Sequence, residues 1–356
     1  VLGPIRLVVD GIKTTEIFKN IDSYVPKAGD SVVAVGEVIV GVISTGDPLM
    51  ENICMFYGYP NAINSYWNVE SSAAFYAKFN GVVFGDLMGE PSHQANADTV
   101  LIIERARQLN PQLKVFGYVP IGLDPAWDDS GLTIEEIRSR ITNWKNSGAT
   151  HIFLDEYGYD YYVTRQRQND CILHSRSLGM PVVANSWSAK YCFSNEDITL
   201  DWIGDFRPNP EQISCILDEN DYVLFENVLY KFHHEAGTDS YADPEQYVNN
   251  NQRIVDMYEY MYAEQPEYGG QSYQSVYKTK GFALDSIINP DQKMYSESYL
   301  AALACGMSAH SASVAFWGAS VSTYPTYDVP EVRAASRIAL GVPVIEIFGD
   351  QYIGRL

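Results

Sequence analysis

From about residue 50, the chain alternates between short apolar runs and stretches with helical spacing. The apolar runs are NICMFYGYP, FNGVVFGDLM, LKVFGYVPIG, THIFLDEYG, MPVVANSW, DYVLFENVLY, VYKTKGFALDS and ASVAFWGAS. Eight such runs over roughly 270 residues match a (β/α)₈ barrel, whose usual size is about 250 residues. A doubly wound sheet would show the same alternation. However, no glycine-rich phosphate loop follows the first run, which disfavours a nucleotide-binding version.

Several stretches between these runs have the apolar spacing of helices. They cover residues 95–109, 133–147, 161–178, 244–263 and 295–307. The second opens on Thr133 with Glu136 three residues later, which is the spacing of a capping box and predicts a helix start. The stretch 188–220 is irregular, and we expect a long loop there with a short helix.

The two ends of the chain differ from the central pattern. The first 48 residues contain IRLVVDGIKT and SVVAVGEVIVGVIST with the turn-forming VPKAGD between them, which predicts a small β module. The last residues, GVPVIEIFGDQYIGRL at 341–356, predict a β-hairpin with Gly349 and Asp350 near its turn. We therefore expect a β module at 1–48, a barrel at 49–330, and a C-terminal helix and hairpin at 331–356.

The net charge of the chain restricts the kinds of ligand that we expect it to bind. The chain has 24 Lys and Arg against 45 Asp and Glu, a formal net charge of −21. This disfavours binding to nucleic acid or to an anionic membrane surface and suits a neutral or cationic ligand. Aromatic residues make up 13% of the chain, with 26 Tyr and 6 Trp. Such residues suit sugar stacking and subunit interfaces, although a Tyr-rich core is an equally good explanation.

The cysteines and the first residues give little information about function. The five cysteines are odd in number and widely spaced, unlike a disulfide framework or a zinc motif, so we interpret them as mostly buried thiols. We expect neither a metal nor another cofactor. The start VLGPIRLVVDGIK shows no export signal, although one could have been removed ahead of Val1, and no apolar stretch is long enough to span a bilayer.

Acidic and aromatic residues collect where the apolar runs stop. In a (β/α)₈ barrel the catalytic groups project from the C-terminal ends of the strands. The residues at these positions are Tyr57, Tyr59, Asp86, Tyr118, Asp155, Glu156, Asn185, Trp187, Glu226, Asn227, Asp285 and Trp317. Glycosidic cleavage needs one carboxyl to protonate the leaving oxygen and a second to act as nucleophile or base. The set therefore predicts a sugar site.

Each of these residues also has a purely structural interpretation. An acid at a strand end can cap the next helix or pair with an arginine. Asp155 and Glu156 are neighbours on a strand, so we expect one of them to face the barrel mouth and the other to be held by packing or an ion pair. The adjacent His233, His234 and Glu235 lack the spacing of a zinc helix, and we expect a rim loop there.

Three motifs resemble a known family. HIFLDEYG, LGMPVVANSW and YVLFENVLY resemble, in order and approximate spacing, the core of the spherulin-4-like proteins, which are related to glycoside hydrolase family 114, the endo-α-1,4-polygalactosaminidases. The resemblance implies a (β/α)₈ barrel that cleaves with an acid after strand four and a Glu ending a later strand. These positions match Asp155, with Glu156 beside it, and Glu226. The family's usual NPG after strand five is here Asn185-Ser186-Trp187, a departure that bears on which sugar is bound.

The N-terminal module has a separate resemblance. IDSYVPKAGDSVVAVGEVIVGVIST is similar to a β segment found near the start of bacteriophage tail and baseplate proteins. It implies a virion-borne protein that meets a host polysaccharide and contacts other tail proteins through residues 1–48.

Two functions fit these observations. The first is hydrolysis of an extracellular or host-surface polysaccharide, with Asp155 and Glu226 as the carboxylate pair in an order that the sequence does not assign. The second is a non-catalytic carbohydrate-binding or structural tail protein on the same barrel. A secreted cell-wall enzyme would keep the first mechanism and change only the location.

Overall fold

The computed structural model describes residues 50–124, 131–233, 279–287, 291–304 and 307–314, together with short segments elsewhere. Eight strands form a closed, all-parallel barrel in which each strand pairs with the next in sequence and the last pairs with the first. The strands are β1 (Glu51–Phe56), β2 (Gly81–Phe84), β3 (Lys114–Pro120), β4 (His151–Asp155), β5 (Val182–Asn185), β6 (Tyr222–Glu226), β7 (Lys280–Ile287) and β8 (Ala309–Val314). The predicted barrel is confirmed.

Most helices of the described residues lie at predicted positions, with shifted ends. They are α1 (Val69–Tyr76), α2 (Asn96–Leu109), α3 (Ile134–Asn146), α4 (Arg165–Ser177), α5 (Ala189–Phe193) and α6 (Gln292–Ala304). The capping box is confirmed, since the Thr133 and Glu136 side chains each bond to the other's backbone. The prediction missed α1, an eight-residue helix capped by Asn68. The predicted helix at 244–263 lies outside the described residues.

Within the part of the chain that the structure describes, four antiparallel strand pairs lie outside the barrel. They join Val8–Val9 to Ile12–Lys13, Ser31–Val35 to Val38–Ile43, Tyr230–His233 to Thr238–Tyr241, and Val344–Phe348 to Gln351–Arg355. The last pair lies within the stretch 341–356, where the sequence predicts a hairpin. The strand Tyr230–His233 takes in the first residue of the predicted histidine-rich rim loop. Among the described residues, the helices are too short or too polar to cross a bilayer.

Strand alternation divides the apolar residues between two cores. One cluster fills the barrel and includes Met55, Val83, Phe116, Phe153 and Leu224. The other lies between the strands and the surrounding helices and includes the alternate strand positions. Because parallel strands are buried on both faces, their runs are apolar throughout. The next inward positions at the C-terminal ends carry Tyr57, Tyr118, Asp155, Asn185 and Glu226, so the predicted chemistry meets at the mouth.

A polar group closes the other end of the barrel. Lys114 on β3 donates to Glu51 Oε1 on β1 at 2.5 Å and to the Tyr222 hydroxyl on β6 at 2.7 Å. The Tyr222 hydroxyl in turn donates to Glu51 Oε2 at 3.0 Å. These hydrogen bonds connect three strands across the N-terminal end of the barrel. The C-terminal end, the mouth, is therefore the end available for a catalytic site.

Trp144 fixes the strand that carries Tyr118. Its buried ring lies against Gly117, where an added Cβ would sit 2.3 Å from the indole carbons. Its ring N–H donates to the Tyr118 carbonyl oxygen at 2.9 Å. Glycine is therefore required at position 117 for the helix α3 to approach β3 this closely.

Four of the five cysteines lie in described segments. Cys54, Cys171, Cys192 and Cys215 are buried and unpaired with one another. This confirms buried thiols at those four positions, and Cys305 lies outside the described residues.

Candidate active site

The side-chain amide of Asn185 connects the two predicted carboxylates. Asn185 lies on β5, between the strands of Asp155 and Glu226 in the barrel order. Its Nδ2 donates to Asp155 Oδ1 at 2.7 Å and to Glu226 Oε1 at 3.0 Å. An amide NH₂ carries two hydrogens, and here each carboxylate receives one. The two acids are therefore close neighbours at the mouth.

Two tyrosines complete this group from β1 and β3. The Tyr118 hydroxyl donates to Asp155 Oδ2 at 2.6 Å, so both Asp155 oxygens accept a hydrogen bond. Tyr57 meets Tyr118 edge to face, with ring centroids 5.3 Å apart. Burial, followed by the charges of Asp155 and Glu226, raises the pKa of Tyr57 well above its ordinary value. Both phenols therefore stay protonated beside the acids, since burial and Asp155 also raise the pKa of Tyr118.

Glu156, directly after β4, has an unusual backbone conformation. Its φ is +54°, a left-handed conformation that non-glycine residues seldom adopt. Its side chain lies against Gly122 in the loop after β3, where an added Cβ would be 2.1 Å from Glu156 Oε2. Asp155 faces the barrel interior, and Glu156 lies against the neighbouring loop. This matches the expectation that adjacent acids would be separated by the strand end.

A buried arginine organises the loops after β4 and β5. Arg165 begins α4 and is fully buried. Its guanidinium donates to the carbonyl oxygens of Cys192 and Ser194 at 2.7 and 3.0 Å and lies over the Tyr159 ring. Its backbone N–H donates to the Pro208 carbonyl oxygen. The irregular stretch after Asn185 is thereby fixed to the segment after Asp155.

The chain turns sharply after Glu226. Asn227 has a φ of +57°, and its N–H donates to the Leu284 carbonyl oxygen on β7 at 2.7 Å. Asn tolerates this conformation better than most residues. The turn orients Glu226 toward Asn185 and directs the following residues back onto the outer face of β7.

The structure does not bring every predicted residue into this group. Asp285 is buried on the helix-facing side of β7, with its carboxylate accepting from the Leu229 N–H and the Ser298 hydroxyl. The Tyr59 hydroxyl accepts from Gln94 at 2.5 Å, away from the acids. Trp187 is 45% exposed, two residues beyond Asn185. The Asp86 side chain and Trp317 lie outside the described residues.

Tyr161 is a site residue that the sequence analysis did not select. It follows β4 in a short 3₁₀ turn, Tyr159–Tyr161. Burial, followed by the charges of Asp160 and Asp155, raises its pKa to about 12, with smaller effects of Glu156 and Glu226. The tyrosine-rich stretch 157–162 was the available signal, but its spacing does not distinguish Tyr161 from the neighbouring tyrosines.

The arrangement can perform acid and nucleophile chemistry. Asp155 Oδ1 and Glu226 Oε1 bond to the same nitrogen, so they lie within about 6 Å of each other. Phenol and amide donors surround the pair, and Trp187 offers an exposed aromatic face nearby in sequence. Paired carboxyls with surrounding donors and aromatics are what glycosidic cleavage requires.

Comparisons with known proteins give structural matches alone. No family model and no curated protein matches the chain. The glycoside hydrolase domain of PelA from Pseudomonas aeruginosa is similar, with 13% identity and a TM-score of 0.40, over 77% of this chain and 99% of that chain. So is the carboxyl transferase domain of Rhizobium etli pyruvate carboxylase, with 9% identity and a TM-score of 0.39, over 74% and 40%.

A third match has a different chemistry again. D-psicose 3-epimerase, solved in the presence of D-fructose, matches with 10% identity and a TM-score of 0.38, over 75% of this chain and 85% of that chain. The three proteins named carry out unrelated reactions.

Proposed function

We propose that this chain is a glycoside hydrolase that cleaves an extracellular polysaccharide at the barrel mouth. The observation that carries the proposal is the Asn185 amide bonded to both Asp155 and Glu226. The sequence resemblance to the polygalactosaminidases supports it, because the same two acids match that family's motifs.

We infer different roles for the two acids from the hydrogen bonds of Asp155. Asp155 accepts from Tyr118 and Asn185, one donor on each oxygen, which holds the carboxylate in a fixed orientation for attack as a nucleophile. In the proposed first step, Asp155 attacks the anomeric carbon while Glu226 gives a proton to the departing oxygen. In the second step, Glu226 takes a proton from water, and the water oxygen displaces Asp155 from the sugar.

The separation of the acids favours retention of the anomeric configuration. Retaining enzymes place their carboxyls about 5 to 5.5 Å apart, whereas inverting enzymes need about 6.5 to 9.5 Å to admit a water. An upper limit of about 6 Å between the two bonded oxygens agrees with the shorter class.

The charge of the site supports an amine-bearing polymer. The negative charges of Asp155, Glu156 and Glu226 all contribute to the raised pKa of Tyr161. The whole chain has a net charge of −21. A polymer with free amines, such as one containing galactosamine, would be attracted to this mouth. We propose such a polymer as the substrate.

The resemblance of the N-terminal segment supports a location on a phage tail or baseplate. Strands Ser31–Val35 and Val38–Ile43 of that segment pair with each other, as a small β module requires. Copurification of the intact chain with virions, and its loss on deletion of residues 1–48, would test this part of the proposal.

Reducing-end release from a panel of amino-sugar and neutral polysaccharides tests the activity. We expect release from an amino-sugar polymer, with products of retained configuration by NMR. Binding to a polymer without release from any member of the panel would contradict hydrolysis and leave the non-catalytic carbohydrate-binding function.

A further inference from the structure

A buried polar chain of three side chains lies directly behind the Glu226 turn. It consists of Asp285 on β7, Ser298 on α6 and His310 on β8. All three are at most 1% exposed. Strand alternation turns Asp285 and His310 away from the barrel interior, so they do not reach the substrate mouth. Burying a polar group costs free energy unless it forms hydrogen bonds. The hydrogen bonds of these three side chains therefore show how the group is held together.

The hydrogen bonds run in one direction along this chain. The Ser298 hydroxyl has one hydrogen, which it donates to Asp285 Oδ2 at 2.6 Å. The contact of 2.7 Å between Ser298 Oγ and His310 Nε2 must therefore be a bond that His310 donates. Burial lowers the pKa of His310 to about 3, so the ring is neutral with its proton on Nε2. In agreement, Nδ1 makes no hydrogen bond within the described residues.

The other oxygen of Asp285 holds the turn after Glu226. Asp285 Oδ1 accepts from the Leu229 N–H at 2.9 Å, three residues beyond Glu226. Together with the bond from the Asn227 N–H to the Leu284 carbonyl oxygen, this fixes the turn to β7 at two points. Val228 lies between these points and is buried with Leu229, at 3% and 0% exposure.

We propose that Asp285, Ser298 and His310 are positioning residues that hold Glu226 at its catalytic distance from Asp155. The inference rests on the proposed function, since the benefit of this anchor is an aligned Glu226. His310 orients the Ser298 hydroxyl, Ser298 orients the Asp285 carboxylate, and Asp285 anchors Leu229. Small misplacements of a catalytic group reduce turnover more than they reduce binding.

Substitution of Ser298 separates positioning from stability. We expect Ser298→Ala to lower kcat about tenfold or more with little change in KM, and Ser298→Thr to restore kcat because it keeps the hydroxyl. Ser175→Ala is the matched control. Ser175 is also fully buried on a helix, and its hydroxyl donates to the Met180 carbonyl oxygen at 2.8 Å, with no link to the turn.

A second measurement tests, without a substrate, whether these residues hold the turn after Glu226 in place. We expect amide hydrogen exchange in residues 226–229 to rise at least about tenfold in Ser298→Ala and to stay unchanged in Ser175→Ala. Unchanged exchange, or equal loss of kcat in both alanine variants, would overturn the inference. If the native protein hydrolyses no polymer but exchange rises as expected, then the proposed function fails and the anchor stands.

Discussion

At the scale of single residues, the Asn185 amide decides how the two acids can act. Two carboxylates this close repel each other unless donors compensate their charges. Asn185 supplies one hydrogen to each, and Tyr118 supplies another to Asp155. The sequence predicted Asn185 as a sugar-binding residue because it ends an apolar run. Its bridging role could not be predicted, because it depends on the side-chain rotamer and on the order of three strands.

Replacing Asn185 tests this role. We expect Asn185→Ala to lower kcat by about tenfold to a hundredfold, because the acids lose their shared donor and move apart. Asn110→Ala is the control, since the Asn110 amide also makes two hydrogen bonds, to the carbonyl oxygens of Ala77 and Phe79 at the far end of the barrel. Equal kinetics in the two variants, measured on the same polymer, would exclude the bridging role.

At the scale of elements, the sequence predicted where the strands lie. It did not predict which side of the barrel wall each side chain points to. Acids that end apolar runs, such as Asp155 and Glu226, identified the mouth because C-terminal strand ends converge there. The same rule misplaced Asp285. The strand β7 continues to Ile287, and Asp285 turns toward the helices. Parallel strands are apolar on both faces, so the sequence carries no signal for the phase of alternation.

Arg165 shows how elements around the mouth depend on one side chain. We expect Arg165→Met to lower the free energy of unfolding by about 3 kcal/mol, because it leaves buried carbonyl oxygens of the loop after β5 without their donor. Urea denaturation measures this. Arg207→Met removes a surface ion pair with Asp197 and should change stability far less. Similar losses in both variants would mean that Arg165 does not organise the loops.

At the scale of the whole molecule, the buried His310 and the partly buried His151 make stability depend on pH. Burial lowers the pKa of His310 to about 3, and burial together with Lys114 and Lys280 lowers the pKa of His151 to about 3. Both pKa values lie below that of an unfolded histidine, about 6.5, so acid favours the unfolded chain. Their contribution to stability is complete above about pH 6.5 and is lost as pH falls toward 3.

A non-titrating variant isolates one histidine. Below about pH 6.5, His310 should cost the native protein about 1.4 kcal/mol of unfolding free energy per pH unit. We expect His310→Gln to be less stable at neutral pH but to lose stability less steeply between pH 6.5 and 4, by urea denaturation at each pH. Parallel pH dependences in the two proteins would show that His310 is not held neutral.

The proposed cleavage of a glycosidic bond depends on Asp155 and Glu226 acting as a pair. The most direct measurement compares kcat on the best polymer for the native protein, Asp155→Asn, Glu226→Gln and Asp197→Asn, a surface carboxylate that pairs with Arg207. With folding verified by circular dichroism, we expect kcat to fall about a thousandfold or more in the first two variants and to stay unchanged in the third. Native turnover in either Asp155→Asn or Glu226→Gln would contradict the account.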